Sequence, residues 1–247
     1  MPFAAIAPAS AGMPLYRVVK RALLGAIEAG SYAPGSALPS ESELAAAFGV
    51  SIGTLRKAVD ELAAENILIR QQGRGTFVAR HTRERELFYF LHVVPQQGSK
   101  QYPDVQLESF ARGRADRRVA DALGIEPGDS VYRIRNLLRE DGAPIIVDDI
   151  TLPVQRFAGL TERQFRERRS TVYNLYQEAF GISVVATRER VRALPADNAT
   201  ATLLGVAAGT PLLSIRRVAL SYREQPIEYR VSLVNTERHE YWAEIGT

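Results

Sequence analysis

The chain of 247 residues contains no cysteine. This excludes disulfides, thiolate nucleophiles and every cysteine-ligated zinc or iron-sulfur site, and it fits a reducing compartment, with the cytoplasm as the expected location. Histidine is nearly as scarce: the three, His81, His92 and His239, never reach the paired spacing of a metal motif. No G-x-S-x-G elbow occurs, no Walker or dinucleotide glycine pattern is complete, and nothing in the sequence asks for a cofactor or a metal. No apolar run approaches a membrane span, so no membrane partner is expected. The opening MPFAAIAPASAG has neither a basic start nor a long enough apolar core for a signal peptide, so residues 1–12 are expected to form a disordered tail. Neither sign of charge dominates, with 31 Lys and Arg against 28 Asp and Glu. Composition therefore permits a polyanionic partner without requiring one, and the placement of the charges has to decide.

What is present suits two domains, given the length and a hydrophobic content of 46%. In the first third, Leu15, Val18, Val19, Ala22, Leu23, Ala26 and Ile27 follow Pro14 at helical spacing and stop at Gly30. Ser40-Glu-Ser-Glu43 is a capping box that opens a second helix reaching Phe48. After Gly49-Val50, Ser51 caps a third helix whose buried stripe is Leu55, Ala58, Val59 and Leu62. Two short helices joined by a tight turn make a helix-turn-helix, and its second helix enters the major groove by its N-terminal end. That end carries Ser51, Gly53, Thr54, Arg56 and Lys57. Small residues allow close approach, hydroxyls and helix-start amides bind phosphate, and Arg56 can bridge a guanine edge. For any one of these residues a capping or solvated role serves as well; the constellation together points to double-stranded DNA. Immediately afterwards QQGRGTFV, residues 71–78, reads as a hairpin between 67–69 and 76–78. A hairpin behind a recognition helix is a wing, and Arg74, flanked by Gly73 and Gly75 and preceded by Gln72, is placed for phosphates or the minor groove.

The segment ARHTRERE, 79–86, has the polar character of an exposed connector, with 81–86 as the linker. Beyond it, β-type runs at 88–94, 131–138, 145–152, 184–192, 212–221 and 227–235 alternate with helical runs at 116–123, 161–169, 172–180 and 197–204. Residues 116–135 match 197–216 at an offset of 81, with Asp116/Asp197, Leu123/Leu204, Gly124/Gly205, Gly128/Gly209 and Arg135/Arg216 coinciding. Two copies are too few for a solenoid, so the spacing predicts one pseudo-symmetric α/β domain around an antiparallel sheet, with a ligand pocket between the halves.

Residues 14–78 resemble the DNA-binding domain of GntR-type bacterial transcription regulators. The resemblance rests on Leu-Pro-Ser-Glu at 38–41, Gly-Val-Ser at 49–51, Thr-Leu-Arg-Lys-Ala at 54–58 and Gly-Arg-Gly-Thr-Phe-Val at 73–78. It implies a winged helix-turn-helix over 13–80 that binds an operator, with Ser40 and Glu41 joining the contact set. Ser42 and Ile52 replace arginines that relatives often set on the operator, so the familiar operator core does not transfer. Residues 87–247 resemble the UTRA effector-binding and dimerisation domain of the HutC branch. The supporting pieces are Phe-x-Gly-Leu at 157–160, Val-Tyr at 172–173, the Leu-Gly to Ile-Arg run at 204–216, and Pro226-Ile-Glu228. Together the resemblances imply an α+β chain with a chorismate-lyase-like second domain, acting as a homodimeric, metabolite-responsive regulator. A chorismate-lyase-like enzyme with an accessory DNA-binding domain is the alternative, with Asp148 and Glu228 as its candidate pair.

For the effector, Thr171 and Tyr173 fall where the family has a Ser and a Tyr that reach ligand, and Glu228 matches a Glu near the pocket. Asp148 takes an acidic position before a Pro-terminated strand, and Arg230 and Ser232 share the strand face of Glu228 by period two. For Asp148 and Ser232 a structural hydrogen bond is the simpler role. Asn136 and Leu138 stand where sugar-phosphate-binding relatives carry two arginines, while Arg133 and Arg135 face the other side of a regular strand. The expected effector is a small polar metabolite, a carboxylate among the candidates, and not a phosphosugar.

Overall fold

The computed structural model describes residues 13–243, the side chain of Phe88 excepted. The tail expected over 1–12 lies outside the described residues. The chain divides into two compact units between Arg80 and His81.

The first unit holds helices α1 (Leu15–Glu28), α2 (Glu41–Phe48) and α3 (Ile52–Ala64), followed by strands β1 (Leu68–Gln71) and β2 (Gly75–Val78). Ser40 and Glu43 form the reciprocal capping box at the start of α2, and Gly49 ends that helix in the left-handed region at φ 66°. Ser51 caps α3 by accepting from the Thr54 N–H. Val19, Leu23 and Ile27 pack with Leu44, Phe48, Leu55, Val59 and Leu62 into the core, which fixes α3 against both other helices. The hairpin pairs Leu68 with Val78 and Gln71 with Gly75, and its turn needs positive φ at Gly73 (72°) and Gly75 (108°).

The second unit runs α4 (Arg83–Tyr89), β3 (Val93–Pro95), β4 (Asp104–Arg114), α5 (Arg117–Leu123), β5 (Ser130–Glu140), β6 (Ala143–Pro153), α6 (Glu162–Arg166) and α7 (Val172–Phe180). It continues with β7 (Ala186–Pro195), α8 (Asn198–Leu204), β8 (Pro211–Leu220), β9 (Pro226–Asn235) and β10 (His239–Tyr241). Six strands form one antiparallel sheet in the order β4-β5-β6-β9-β8-β7, and β3 pairs with β10. The internal repeat is the design of this sheet. Asp116 and Asp197 cap α5 and α8, Gly124 and Gly205 close them, and each helix then packs across the other half: α5 on β9, α8 on β6. On that face Val131, Leu137, Val147 and Leu212 are buried. The opposite face carries the main core of Tyr132, Ile134, Ile150, Leu152, Phe157, Phe165, Tyr173 and Tyr176.

Three expectations change. Residues 81–86 are no exposed linker: His81, Arg85 and Glu86 are buried, and α4 starts within the segment. Arg85 and Glu86 are taken into the domain, where composition alone reads the segment as solvated. The run at 88–94 is helical to Tyr89 and extended only from Val93, because α4 takes its first residues. Strand β4 had no matching expectation. As an edge strand it leaves most of DVQLESFARGR exposed, so no clean alternation marks it.

Candidate functional site

The first unit exposes the start of α3 and the tip of the hairpin. Ser51, Ile52, Gly53, Arg56 and Lys57 are exposed at the start of α3, and Gln72, Gly73, Arg74 and Gly75 at the tip of the hairpin. Ser51 and Thr54 hydroxyls lie 2.9 Å apart, and Ser51 Oγ also accepts the Thr54 N–H at 3.2 Å, so both hydroxyls order the helix start. Ser40 does the same for α2, its Oγ accepting from Glu43 N–H at 3.3 Å.

Glu41 takes a role that sequence did not suggest. Its Oε2 accepts from Arg56 Nε at 3.0 Å, and its Oε1 accepts from Arg70, which also reaches Asp60 at 2.9 Å. Arg56 is thereby tethered along one edge of its guanidinium while its side chain stays 57% exposed. Arg70 and Asp60 were missed, because a lone Arg in a short strand and an Asp on a helix carry no motif. Lys57 Nζ sits 4.2 Å from the Tyr16 ring centroid, and the Arg74 guanidinium 5.9 Å from that of Phe77.

The second unit holds a cavity of about 40 Å³ on the main-core face of the sheet. Register builds its floor: Asn136 faces Asp148, Asp148 faces Ser232, and Arg230 faces Arg217 in the next row. Glu86 enters from α4, with Phe90, Tyr102 and Val172 completing the wall.

Ion pairing dominates this floor. Arg230 donates through Nε to Glu228 Oε1 at 2.9 Å, through a terminal nitrogen to Glu228 Oε2 at 3.1 Å, and through the other to Asp148 Oδ2 at 3.1 Å. Asp148 Oδ1 accepts from Ser232 Oγ at 2.5 Å. Glu228 is fully buried and accepts from the Tyr176 hydroxyl at 2.6 Å and from Tyr173 at 3.3 Å. Burial opposes the Arg230 charge, but Glu228, Tyr173 and Asp148 outweigh it and hold the guanidinium protonated. Arg217 donates to Glu189 at 2.5 Å and to the Phe90 carbonyl. Burial works against the charge on Glu189 as well, yet the hydrogen bond from His92 and the Arg217 charge bring its pKa down to about 2.

Of the residues expected at an effector pocket, Asp148, Arg230 and Ser232 line this cavity. Glu228 and Tyr173 stand one layer behind, holding Arg230. Thr171 is buried as the cap of α7, accepting from Asn174 N–H at 3.1 Å, and its hydroxyl also serves Glu86. Asn136 and Leu138 are both in the wall. Arg133 and Arg135 do lie on the other face, where Arg135 pairs with Asp149 at 2.7 Å. Glu86, Arg217, Tyr102 and His92 were not anticipated. Arg217 was accessible by period two on β8, whereas Glu86 was hidden by the connector reading of its segment. Among the described residues no group of three His, Cys, Asp or Glu could hold a metal ion, and no helix is long and apolar enough to cross a membrane.

An exposed recognition-helix start with a wing, joined to a sheet domain with a polar cavity, defines a class: DNA-binding regulators with a ligand-binding domain. Residues 15–78 match the family model of bacterial regulatory proteins of the gntR family, and residues 98–240 match that of the UTRA domain. The chain belongs to the GntR family of transcription regulators, in the UTRA-bearing HutC branch. It is similar to the "Probable fructoselysine utilization operon transcriptional repressor" of Escherichia coli K12, 30% identical over 216 residues, 86% of this chain and 87% of that one. The histidine utilization repressor of Pseudomonas putida is 30% identical over 215 residues, covering 87% of this chain and 85% of its own. Among solved structures, the ligand-binding domain of a protein assigned to the GntR family from Bordetella bronchiseptica superposes with a TM-score of 0.62 at 31% identity. It covers 64% of this chain and 99% of that domain. The family is one of regulators, which sets aside the lyase-like enzyme.

Proposed function

We propose that the protein is a cytoplasmic repressor that binds a two-fold symmetric operator as a homodimer and changes its DNA affinity when a small polar metabolite occupies the cavity of the second unit. In this account residues 13–80 bind DNA and the unit from His81 onward binds effector and dimerises. The observation that carries it is the joint exposure of Arg56 and Lys57 at the start of α3 and of Arg74 at the wing tip, on one small unit. A dimer follows from the geometry of such modules, which gain specificity by placing two recognition helices in successive major grooves. Relatives named as repressors of fructoselysine and histidine utilisation support a repressor that answers to a catabolic metabolite. Asp148, Arg230 and Ser232 are assigned to the ligand, with Tyr173 and Glu228 holding the floor beneath it and Thr171 holding Glu86 in the wall. The test is gel-shift titration on a duplex chosen by selection, with sedimentation of the complex. Two chains per palindromic duplex is the expected stoichiometry; one chain per site, without symmetry, contradicts the dimer.

A further inference from the structure

Both guanidiniums in the cavity wall already have anionic partners, Arg230 between Glu228 and Asp148, Arg217 on Glu189. Two carboxylates, Glu86 and Asp148, line the cavity beside these two guanidiniums, while Glu228 and Glu189 stand behind. Two further arginines lie nearby without lining it: Arg85 is over the Tyr89 ring at 5.1 Å and Arg168 over the Phe165 ring at 4.7 Å. The unmatched atoms of the wall are acceptors. Among the described residues Glu86 Oε2 and Asn136 Oδ1 find no hydrogen-bond partner, although Glu86 is 6% exposed and Asn136 1%. Buried polar atoms are rarely left so, and each unmet one is costly. Burial also makes the Glu86 carboxyl hold its proton more tightly than an exposed one, against the pull of Thr171 and Arg230.

We propose that the cavity selects a ligand through a hydrogen-bond donor, a primary amine on a small polar body, seated on the Glu86 carboxyl with the Asn136 carbonyl, and that it disfavours a free carboxylate or phosphate. The proposal rests on the effector role of this cavity and replaces the carboxylate that sequence alone suggests. An anion entering here meets Glu86 and Asp148, and the guanidiniums of the wall already carry carboxylate partners, with which it must compete. An amine meets two acceptors that no group of the described wall satisfies, Glu86 Oε2 and Asn136 Oδ1. Its anchor also lies on α4, which starts at Arg83, directly after the DNA-binding unit ends at Arg80. Occupancy therefore acts on the segment covalently next to that unit.

The test uses the full chain with isotope-labelled isoleucine methyls, because Ile146 and Ile215 line the cavity. Propylammonium, propionate and inorganic phosphate are titrated separately. Propylammonium is expected to move both methyl signals, and Glu86→Gln to weaken it by about tenfold, the loss of one charge-assisted bond. Asn136→Leu must weaken it as well, which guards against a Glu86 variant that merely misfolds. If propionate or phosphate moves the methyls as much as or more than the amine, the donor rule is wrong and the effector cavity stands. If none of the three moves either methyl up to the solubility limit, the effector role of the cavity falls with it.

Discussion

Arg56 and Arg74 are both exposed arginines of the DNA-binding unit, yet they should fail differently when removed. Arg56 projects from the recognition helix, so Arg56→Ala should relax base preference at one position per half-site, at a cost of roughly 1–3 kcal/mol if it reads guanine. Arg74 rides on a glycine-flanked turn that follows backbone and groove shape. Arg74→Ala should weaken all duplexes alike and lower the salt slope by about 0.9 for each phosphate that Arg74 neutralises. Competition binding against single-base operator variants at two salt concentrations separates the two. In the second unit His81 is the residue with the clearest titration. Its Nε2 accepts from Val184 N–H at 3.2 Å, and burial together with the Arg85 charge lowers its pKa to about 3. The unfolded chain takes up this proton near the ordinary value of about 6.5, so the stabilising contribution is complete above that pH. It is lost as pH falls from about 6.5 towards 3, at up to about 1.4 kcal/mol per pH unit. His81→Gln keeps an acceptor without the titration. The parent should lose more stability than this variant between neutral and mildly acid pH. Glu86, whose burial acts with the opposite sign, is common to both and cancels in the difference. Equal pH profiles would show that folding does not lower the His81 pKa.

Elements were legible where local chemistry and packing agree. Ser40, Ser51, Asp116, Thr171 and Asp197 all cap helices, and all of these but the one capped by Ser51 are closed by a glycine in the left-handed region, at 49, 124, 181 and 205. Strands β5, β6, β8 and β9 were readable because their long apolar runs sit in the middle of the sheet. The misreading of the connector has one cause, that charge does not report burial. RERE in 83–86 looks solvated, but Arg85 and Glu86 turn inward on α4, and the cavity gains the acid that no motif announces. The floor of that cavity shows the same coupling: Arg230 is held by residues of β6 and β9, with Tyr173 and Tyr176 from α7 behind them. Arg230→Ala leaves Glu228 and Asp148 buried without a counter-charge and should destabilise the second unit by about 3–5 kcal/mol in urea unfolding. A loss under 1 kcal/mol would mean that water reaches the floor. In the first unit, Glu41 links α2, α3 and β1 through Arg56 and Arg70. Glu41→Gln should therefore blur the base preference that Arg56 sets, and should have no further effect in an Arg56→Ala background. Additive losses in the double variant would make the two residues independent.

At the scale of the whole molecule, the two units answer different questions. The first carries the surface for a polyanion although the chain has a net charge of only +3, because Arg56, Lys57 and Arg74 are exposed at one helix start and one turn. The second carries a sheet whose two halves exchange helices across its centre, with a polar cavity on the opposite face. In the proposed dimer, ligand control requires only that occupancy favour one arrangement over another, so a ligand shifts DNA affinity by its differential affinity for the two. All of this depends on sequence-specific DNA binding. The most direct measurement is a selection from random duplexes by the full chain, run in parallel with Arg56→Ala. The account predicts that the parent enriches a two-fold symmetric sequence and that the variant loses preference at one symmetric pair of positions. A parent that enriches no sequence over its starting pool, or one whose enriched sequence the Arg56→Ala variant selects equally well, would contradict it.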